Sequence, residues 1–396
     1  MYLMIISFLF QAAVHDGGDG DFFRVIPILG FALAATLEVI NNRVPLRRFH
    51  PRGVDGFIVI FFVLSAIPLV IDSTIGPVLY AFLFMLTAYA LLLCVVAHGI
   101  DSVVDAFLIA SAIALVLAII TDYSGLIDAL LVTRSDSGLL RYMALGAHPN
   151  LVGHNFAMAA VISFYRFIYC KVERIRYVYF VSSVIFLIMP LAASSRGSLL
   201  AFSVSFFAGL MYLVKWHEEL PRNIRWILKM VPFVAIAALF FTFSKLDYVI
   251  DLLELNTDSR GFDSGMTGRG DNWLLLIDEI FSSPRIVFFG AGLRTWIDDV
   301  RGYATDSSYL NMMWEVGLPA TIVSLFVPLR VLFTSARRRP NSLNFLVILV
   351  FVFMFVEGFF ARYFYGIGNP ASTLFLAILL SVSHYELFVL KIKTYA

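Results

Sequence analysis

The chain contains 396 residues, of which 60% are hydrophobic and 14% are charged, and its mean hydropathy is +0.86. A soluble globular domain carries a much larger charged fraction, so this composition excludes that class and indicates an integral membrane protein. The formal net charge of +1 gives nucleic-acid binding no support. Cys94 and Cys170 lie far apart without metal-ligand or redox spacing around them, so no metal or cofactor is expected.

Apolar stretches recur along the whole chain. A helix needs about 20 apolar residues to cross a hydrocarbon core of about 30 Å, and about twelve such segments are predicted. They are 1–14, 22–40, 56–71, 77–97, 102–121, 151–170, 176–193, 198–214, 228–244, 309–334, 343–360 and 372–390. The first is interpreted as a retained span, because it lacks a basic n-region and a convincing cleavage site. The expected fold is an all-α polytopic membrane protein with a single transmembrane domain over 1–396.

Basic residues cluster in alternate connecting segments. Representative clusters are Arg47 with Arg48, Arg174 with Arg176, and Arg337 with Arg338. Short translocated loops avoid Lys and Arg, so these segments are predicted to be cytoplasmic, together with both termini. The intervening loops, predicted to be extracytoplasmic, include 122–150, 194–197 and 245–305.

The first two of these outer loops each carry an arginine beside a span. Arg141 opens a segment that ends in Pro149-Asn150, and Arg196 lies within Ser195-Arg196-Gly197. His148 and His154 flank the Pro149-Asn150 turn, either as structural hydrogen-bonding residues or as an imidazole available for catalysis.

The loop 245–305 is predicted to form an extracytoplasmic cap with an amphipathic helix over Gly270–Ser283 at the membrane surface. Asp271 or Asn272 is the expected cap at its start, and Pro284 is expected to end it. Its apolar stripe is Trp273, Leu274, Ile277, Ile280 and Phe281. Trp273 is either an interfacial aromatic residue or a ligand contact.

Two short motifs follow the predicted cap helix. Ile286 to Phe289 is an apolar, strand-like run. Gly290-Ala291-Gly292 then permits a tight turn or a close approach of backbone to a ligand.

Several arginines are predicted on the outer side, where the positive-inside rule does not explain them. They are Arg141, Arg196, Arg269, Arg294, Arg301 and Arg362. Permanently charged, planar guanidinium groups suit phosphate oxygens, and a diphosphate-linked lipid offers several of these. The alternative is that each arginine reaches water or pairs with a nearby carboxylate.

At the exit of the cap, Asp306 precedes Ser307-Ser308-Tyr309-Leu310. Its carboxylate is a candidate general base or hydrogen-bond acceptor for an attacking hydroxyl. The alternative is a helix N-cap that accepts the N–H of Ser308 or Tyr309.

The ordered set of motifs resembles the O-antigen ligase and polymerase superfamily. The motifs are Ser195-Arg196-Gly197, Thr267-Gly268-Arg269 with Trp273, Gly290-Ala291-Gly292, and Tyr309-Leu310 with Glu315-Val316-Gly317. They cover about 190–320, while span number and loop layout extend the resemblance over most of the chain. Arg141 to Asn150 also resembles a Gly and Pro-Asn turn found upstream in these proteins. The ligases typically have His-Asn where this chain has Asp306-Ser307, which weakens assignment as a ligase.

The resemblance implies a GT-C-like, metal-independent inverting glycosyltransferase of the bacterial cytoplasmic membrane with its active site outside. Its substrate would be a polyprenyl-diphosphate-linked oligosaccharide, and membrane lipids and a chain-length regulator would be further partners. The resemblance implies Arg196 and Arg269 as catalytic residues. Asp306 is proposed with them as the base, because the histidine typical of the ligases is absent. The substrate-binding residues proposed beside them are Arg141, His148, Asn150, Trp273, Arg301 and Tyr309.

The favoured function is a polymerase that joins oligosaccharide repeats into O-antigen, capsule or exopolysaccharide. A ligase that transfers glycan to a lipid or protein acceptor is the first alternative. A transporter or flippase of lipid-linked sugar is the second, and it needs charges deep in the membrane, for which Glu38 and Glu357 are the main acidic candidates. A scaffold protein is the third.

Overall fold

The fold is known from a computed structural model. It describes residues 1–12, 20–41, 75–131, 134–135, 138–139, 141–216, 225, 229, 250, 269–293, 306–362, 364–366 and 368–394. In chain order the helices are α1 (Tyr2–Ala12), α2 (Gly20–Ile40), α3 (Ile75–His98), α4 (Ile100–Thr121), α5 (Tyr123–Leu130), α6 (Pro149–Tyr169), α7 (Glu173–Ala192), α8 (Arg196–Lys215), α9 (Arg269–Ser282), α10 (Pro284–Phe289), α11 (Ser308–Arg337), α12 (Ser342–Glu357) and α13 (Pro370–Thr394). An antiparallel pair, β1 (Arg134–Ser135) with β2 (Gly138–Leu139), and a 3-10 turn (Ala144–Gly146) lie between α5 and α6.

The predicted all-α membrane class is confirmed. Among the described residues, six helices are long and apolar enough to cross a membrane, namely α3, α4, α6, α7, α8 and α11, and the apolar parts of α1, α2, α12 and α13 are shorter. Each predicted span within the described residues coincides with a helix. The predicted spans 56–71 and 228–244 lie outside the described residues.

The chain divides into two compact units. Unit 1 comprises Met1–Ala114, Arg269–Val331 and Gly358–Ala396, and unit 2 comprises Leu115–Gly268 and Leu332–Glu357.

Unit 1 is built around α3 and α13, with α1 and α2 packed beside them. The Phe8 ring makes edge-on contacts with Phe31, at 5.1 Å between centroids, and with Phe107, at 5.5 Å. The Gln11 amide donates to the Thr373 hydroxyl at 3.0 Å, which joins α1 to α13. Aromatic packing with few side-chain hydrogen bonds between helices is typical of membrane helices, whose backbone N–H and C=O groups are hydrogen-bonded within each helix.

In unit 2, α6 is the central helix. In its apolar stretch 94% of residues are buried, against 28% in α7. It packs against α7, α8 and α12. The α8 and α12 backbones approach closely because Gly209 has no side chain to collide with Phe345 and Leu349. The Ser205 hydroxyl donates to the Leu349 carbonyl at 2.6 Å across the same interface.

Candidate functional site

The predicted site residues are distributed over both units. Unit 2 contains Arg141, His148, Asn150 and Arg196. Unit 1 contains Trp273, Asp306 and Tyr309. Arg269 begins α9, but its side chain lies outside the described residues, as does all of Arg301.

In unit 2, residues 193–196 connect α7 to α8 and are called the serine turn. Ser194 has φ +46°, a left-handed conformation that a non-glycine residue adopts only when its surroundings enforce it. Its N–H donates to the Leu191 carbonyl, and the Ser195 N–H donates to the Pro190 carbonyl, both at 2.9 Å. Arg196 is then the first residue of α8. The turn is thus held by the last turn of α7.

The central helix α6 lies directly against this turn. Gly153 of α6 faces Ser195 so closely that a side chain there would collide with the Ser195 Cβ and Oγ atoms. The Ser198 hydroxyl also lies within 3.2 Å of that position. A glycine at 153 is therefore required for α6 to pack against the serine turn.

A buried polar cluster adjoins the turn and is called the Glu357 network: His154, Ser195, Ser198 and Glu357. The Ser198 hydroxyl donates to Glu357 Oε1 at 2.8 Å, and the Ser195 and Ser198 hydroxyls are 2.9 Å apart. His154 Nδ1 lies 3.6 Å from the same Oε1, an electrostatic contact longer than a hydrogen bond. The network joins α6, α8 and α12.

The carboxylate of this network is in an unusual position for an acid. Glu357 is 3% exposed and His154 is 0% exposed. Among the described residues Glu357 Oε2 has no hydrogen-bond partner. Burying a carboxyl group is costly unless nearby groups compensate, and the hydrogen bond from Ser198 is one such compensation.

Arg141 is bonded to the other side of the serine turn. Its Nε donates to the Ala193 carbonyl at 3.0 Å, and its Nη2 donates to Asn150 Oδ1 at 2.8 Å. The Tyr142 N–H donates to the Ala192 carbonyl at 3.1 Å. Of the predicted site residues, the structure thus brings Arg141 and Asn150 together beside the turn that carries Arg196.

The entry to α6 is a capped turn. His148 is the N-cap, its Nδ1 accepting the Asn150 N–H at 3.2 Å, and Pro149 occupies the first helical position. His148 therefore caps α6, and its proposed contact with the substrate stays a prediction.

Tyr142 anchors this entry segment to α4. Its hydroxyl donates to the Ala118 carbonyl at 2.8 Å. Burial, with a smaller contribution from the Asp122 carboxylate, raises the pKa of Tyr142 to about 12, so the hydroxyl remains a donor at neutral pH.

In unit 1, the cap helix exists but differs in detail from the prediction. It runs over Arg269–Ser282, so Asp271 lies inside its first turn and is not its cap. Leu276 and Ile280 are buried against Trp314, whereas Leu274 is 64% and Phe281 is 57% exposed. The predicted stripe therefore included residues of the buried face and exposed apolar residues beside it. Adjacent positions on a helix are rotated by about 100°, so neighbours in sequence do not share a face.

The segment after the cap helix contradicts the strand-like interpretation. Ile286 to Phe289 belong to α10, which begins at Pro284. Four apolar residues in a row do not distinguish a strand from one turn of helix, and Pro at the first position favours the helix.

The Gly290-Ala291-Gly292 motif was predicted to allow a tight turn or a close approach of the backbone to a ligand. In the structure its backbone closely approaches helix α11. Gly290 has φ +76°, and a side chain there would collide with the Glu315 carbonyl. The N–H groups of Ala291 and Gly292 donate to the carbonyls of Trp314 and Glu315 at 2.7 and 2.8 Å. Those carbonyls are available because Gly317 interrupts α11 with φ +77°.

The start of α11 is held by the segment that follows α12. The Ser308 N–H, which Asp306 would bind as a helix cap, donates to the carbonyls of Gly358, at 2.8 Å, and Ala361, at 3.1 Å. Asp306 is half-buried. The Tyr309 ring contacts Phe359 at 4.7 Å between centroids. Tyr309 is therefore packed against aromatic side chains on at least one face.

Sequence reasoning did not assign the Glu357 network to the site. The sequence indicates Glu357 only as an acidic candidate for the transport alternative, and no motif indicates Ser198. Their pairing joins residues 159 positions apart, which no local pattern reveals. The available signal was an acid at the end of a span, since such groups are usually functional.

The described residues contain no group of three or more His, Cys, Asp or Glu side chains that could hold a metal ion. No protein-family model matches the sequence, and no curated protein matches it significantly.

Proposed function

We propose that this protein is a membrane glycosyltransferase that joins polyprenyl-diphosphate-linked oligosaccharide repeats at the outer face of the membrane. The observation that best supports the proposal is the serine turn of unit 2. Arg196 belongs to this turn and begins α8, and Arg141 donates to its Ala193 carbonyl. Two guanidinium-bearing residues are thus anchored at one helix start, an arrangement suited to phosphate groups.

In the proposed mechanism, Arg196 and Arg269 bind the diphosphate of the growing donor, assisted by Arg141 or Arg301. The acceptor hydroxyl oxygen attacks the anomeric carbon, and the bond from that carbon to the diphosphate oxygen breaks. The polyprenyl diphosphate leaves with the electron pair, Asp306 accepts the hydroxyl proton, and in-line attack inverts the anomeric carbon. Arginines stabilise the leaving charge electrostatically.

Membrane placement completes the proposal. We expect about twelve spans in a GT-C-like arrangement with cytoplasmic termini, and the alternation of basic segments then predicts residues 194–197 and the cap 245–305 outside. Nucleotide sugars are not expected there, so a donor already activated on a lipid fits this side of the membrane. O-antigen, capsule and exopolysaccharide are the product classes.

A ligase would use the same chemistry with a different acceptor. A transporter or flippase is the competitor from another class, and the buried Glu357 network is the observation in its favour. Glu38 supports it less, because its carboxylate lies 2.9 Å from His98, close to the ends of α2 and α3.

The deciding experiment mixes the purified protein in detergent with lipid-linked repeat units and resolves the products on a gel. A ladder of lengths identifies a polymerase, and single transfer to a distinct acceptor identifies a ligase. If no covalent product forms, both the polymerase and the ligase are contradicted, and transport or a scaffold role remains.

Variants of the arginines test the assigned site. Arg196→Ala and Arg269→Ala are each expected to abolish the ladder, and Arg196→Lys and Arg269→Lys to lose most of it, because Lys lacks the planar fork. Arg174→Ala is the matched control, since Arg174 is exposed near the start of α7, at the opposite end from the serine turn. Full activity of the Arg196 and Arg269 variants at normal abundance in the membrane would refute phosphate binding by these residues.

A further inference from the structure

The Glu357 network is costly and yet is retained in an otherwise apolar interior. Ser198 and His154 are 0% exposed, Glu357 is 3% and Ser195 is 5% exposed. Apolar side chains of similar volume at these positions would avoid the desolvation of a carboxylate. Packing of α6, α8 and α12 therefore does not explain the network.

The network leads to the serine turn. From Glu357 Oε1 the hydrogen bonds run to Ser198 and then to Ser195, which immediately precedes Arg196. Ser198 lies in the first turn of α8, so the bonds fix the start of that helix relative to the end of α12.

The turn needs such support on both sides of Ser194. Its positive φ is unfavourable for a residue with a side chain and persists only where neighbouring contacts enforce it. On one side, Arg141 bonds the Ala193 carbonyl. On the other, the Ser195 hydroxyl bonds into the Glu357 network.

We infer that Glu357 and Ser198 are positioning residues that hold the serine turn, and through it Arg196, in the geometry used to bind the diphosphate of the substrate. The role in substrate binding rests on the proposed function, in which Arg196 contacts phosphate. Glu357 needs only to accept the Ser198 hydroxyl hydrogen and does not touch the substrate. A neutral side chain with the same acceptor oxygen should then largely replace it.

Two measurements on the full chain in nanodiscs test this inference. The first is hydrogen exchange of the Ser194 and Ser195 amides, which donate to the Leu191 and Pro190 carbonyls of α7 and can be followed without a ligand. The second is the dissociation constant of farnesyl diphosphate, a short polyprenyl diphosphate. The variants are Glu357→Ala, Glu357→Gln, Ser198→Ala and Arg196→Ala.

Glu357→Ala and Ser198→Ala are expected to accelerate exchange of these amides and to weaken binding by about tenfold or more. Glu357→Gln is expected to stay within about threefold of the wild type, because its amide oxygen can still accept from Ser198. Ser198→Ala removes only one oxygen atom. If Glu357→Ala does not fold, Ser198→Ala tests the same two effects, faster amide exchange and weaker binding.

Ser205→Ala is the matched control. Ser205 is also buried in α8 and bonds the Leu349 carbonyl of α12, but its bond is remote from the serine turn. It should leave both measurements unchanged. Combining Arg196→Ala with Glu357→Ala should weaken binding no further than Arg196→Ala alone, because Glu357 acts through Arg196.

Unchanged amide exchange in both Glu357→Ala and Ser198→Ala would overturn the inference, and so would additive binding losses in the double variant. Loss in Glu357→Gln equal to that in Glu357→Ala would also overturn it, since the charge would then matter in its own right. If the wild type fails to bind farnesyl diphosphate while exchange responds as expected, the proposed function fails and the structural support of the turn stands.

Discussion

At the scale of single residues, the structure assigns bonding roles to arginines that the sequence could treat only as charges. Arg141 was proposed as a phosphate contact, and two of its N–H groups bond Ala193 and Asn150. A guanidinium has five donors, so this bonding is compatible with a further contact. The positive-inside rule identifies an arginine as unexpected, but it contains no information on which carbonyl lies within reach.

Replacing Arg141 by Lys is expected to destabilise the protein by about 1–3 kcal/mol, although the charge is kept. A lysine ammonium lacks the fixed fork that reaches Ala193 and Asn150 together. The midpoint of thermal unfolding in detergent measures the effect. Arg174→Lys, at an exposed position, is the control and should not change the midpoint. Equal midpoints for Arg141→Lys and the wild type would contradict the role described for Arg141.

Tyr142 gives the molecule a specific response to alkaline pH. Its pKa is raised from the ordinary value of 10 to about 12. A raised folded-state pKa means that the stability contributed by the neutral hydroxyl is fully present below about pH 10 and is lost as pH rises towards 12.

Tyr142→Phe should therefore lower stability at neutral pH, because the bond to the Ala118 carbonyl is lost. The difference in unfolding midpoint between the variant and the wild type should shrink between pH 10 and pH 12. Other tyrosines and the lysines titrate equally in both proteins, so the difference isolates Tyr142. A difference that stays constant over this range would contradict the assignment.

At the scale of elements, the long apolar helices among the described residues were predictable because hydropathy and length are local properties. Short elements were not. The apolar run before Gly290 was interpreted as strand-like and is helix α10, and Gly290 itself accommodates the α11 backbone. What decides such segments is a contact with a distant part of the chain, here the interruption of α11 at Gly317.

Gly317→Ala should disrupt the contact between α10 and α11. Its φ of +77° disfavours any side chain, and an added Cβ would lie 2.7 Å from Phe288 backbone atoms. The two penalties together should exceed about 2 kcal/mol, measured as loss of unfolding stability in detergent. Gly99→Ala separates them, because Gly99 has φ +81° with nothing within 4 Å of the added Cβ. Equal losses in the two variants would show that the contact with Phe288 contributes nothing.

At the scale of the whole molecule, the membrane class followed from composition alone, whereas the assembly of the site did not. The Glu357 network joins three helices through residues spread from His154 to Glu357. The sequence marks His154, Ser195 and Glu357 only separately, and the packing of α6, α8 and α12 brings them together with Ser198. The structure divides into two compact units, and the expectation of a single transmembrane domain over the whole chain stays a prediction.

Orientation is the whole-molecule property on which the proposed chemistry depends most, because an activated lipid donor is required only outside the cytoplasm. The alternation of basic segments predicts that the cap 245–305 lies outside and Ala396 inside. Alkaline phosphatase, which is active only after export, should be active when fused within the cap and inactive at Ala396. Green fluorescent protein at Ala396 should fluoresce, since it folds in the cytoplasm. The reverse pattern would place Arg196 and Asp306 on the side where nucleotide sugars are abundant, and the proposed use of a lipid-linked donor would lose its physical basis.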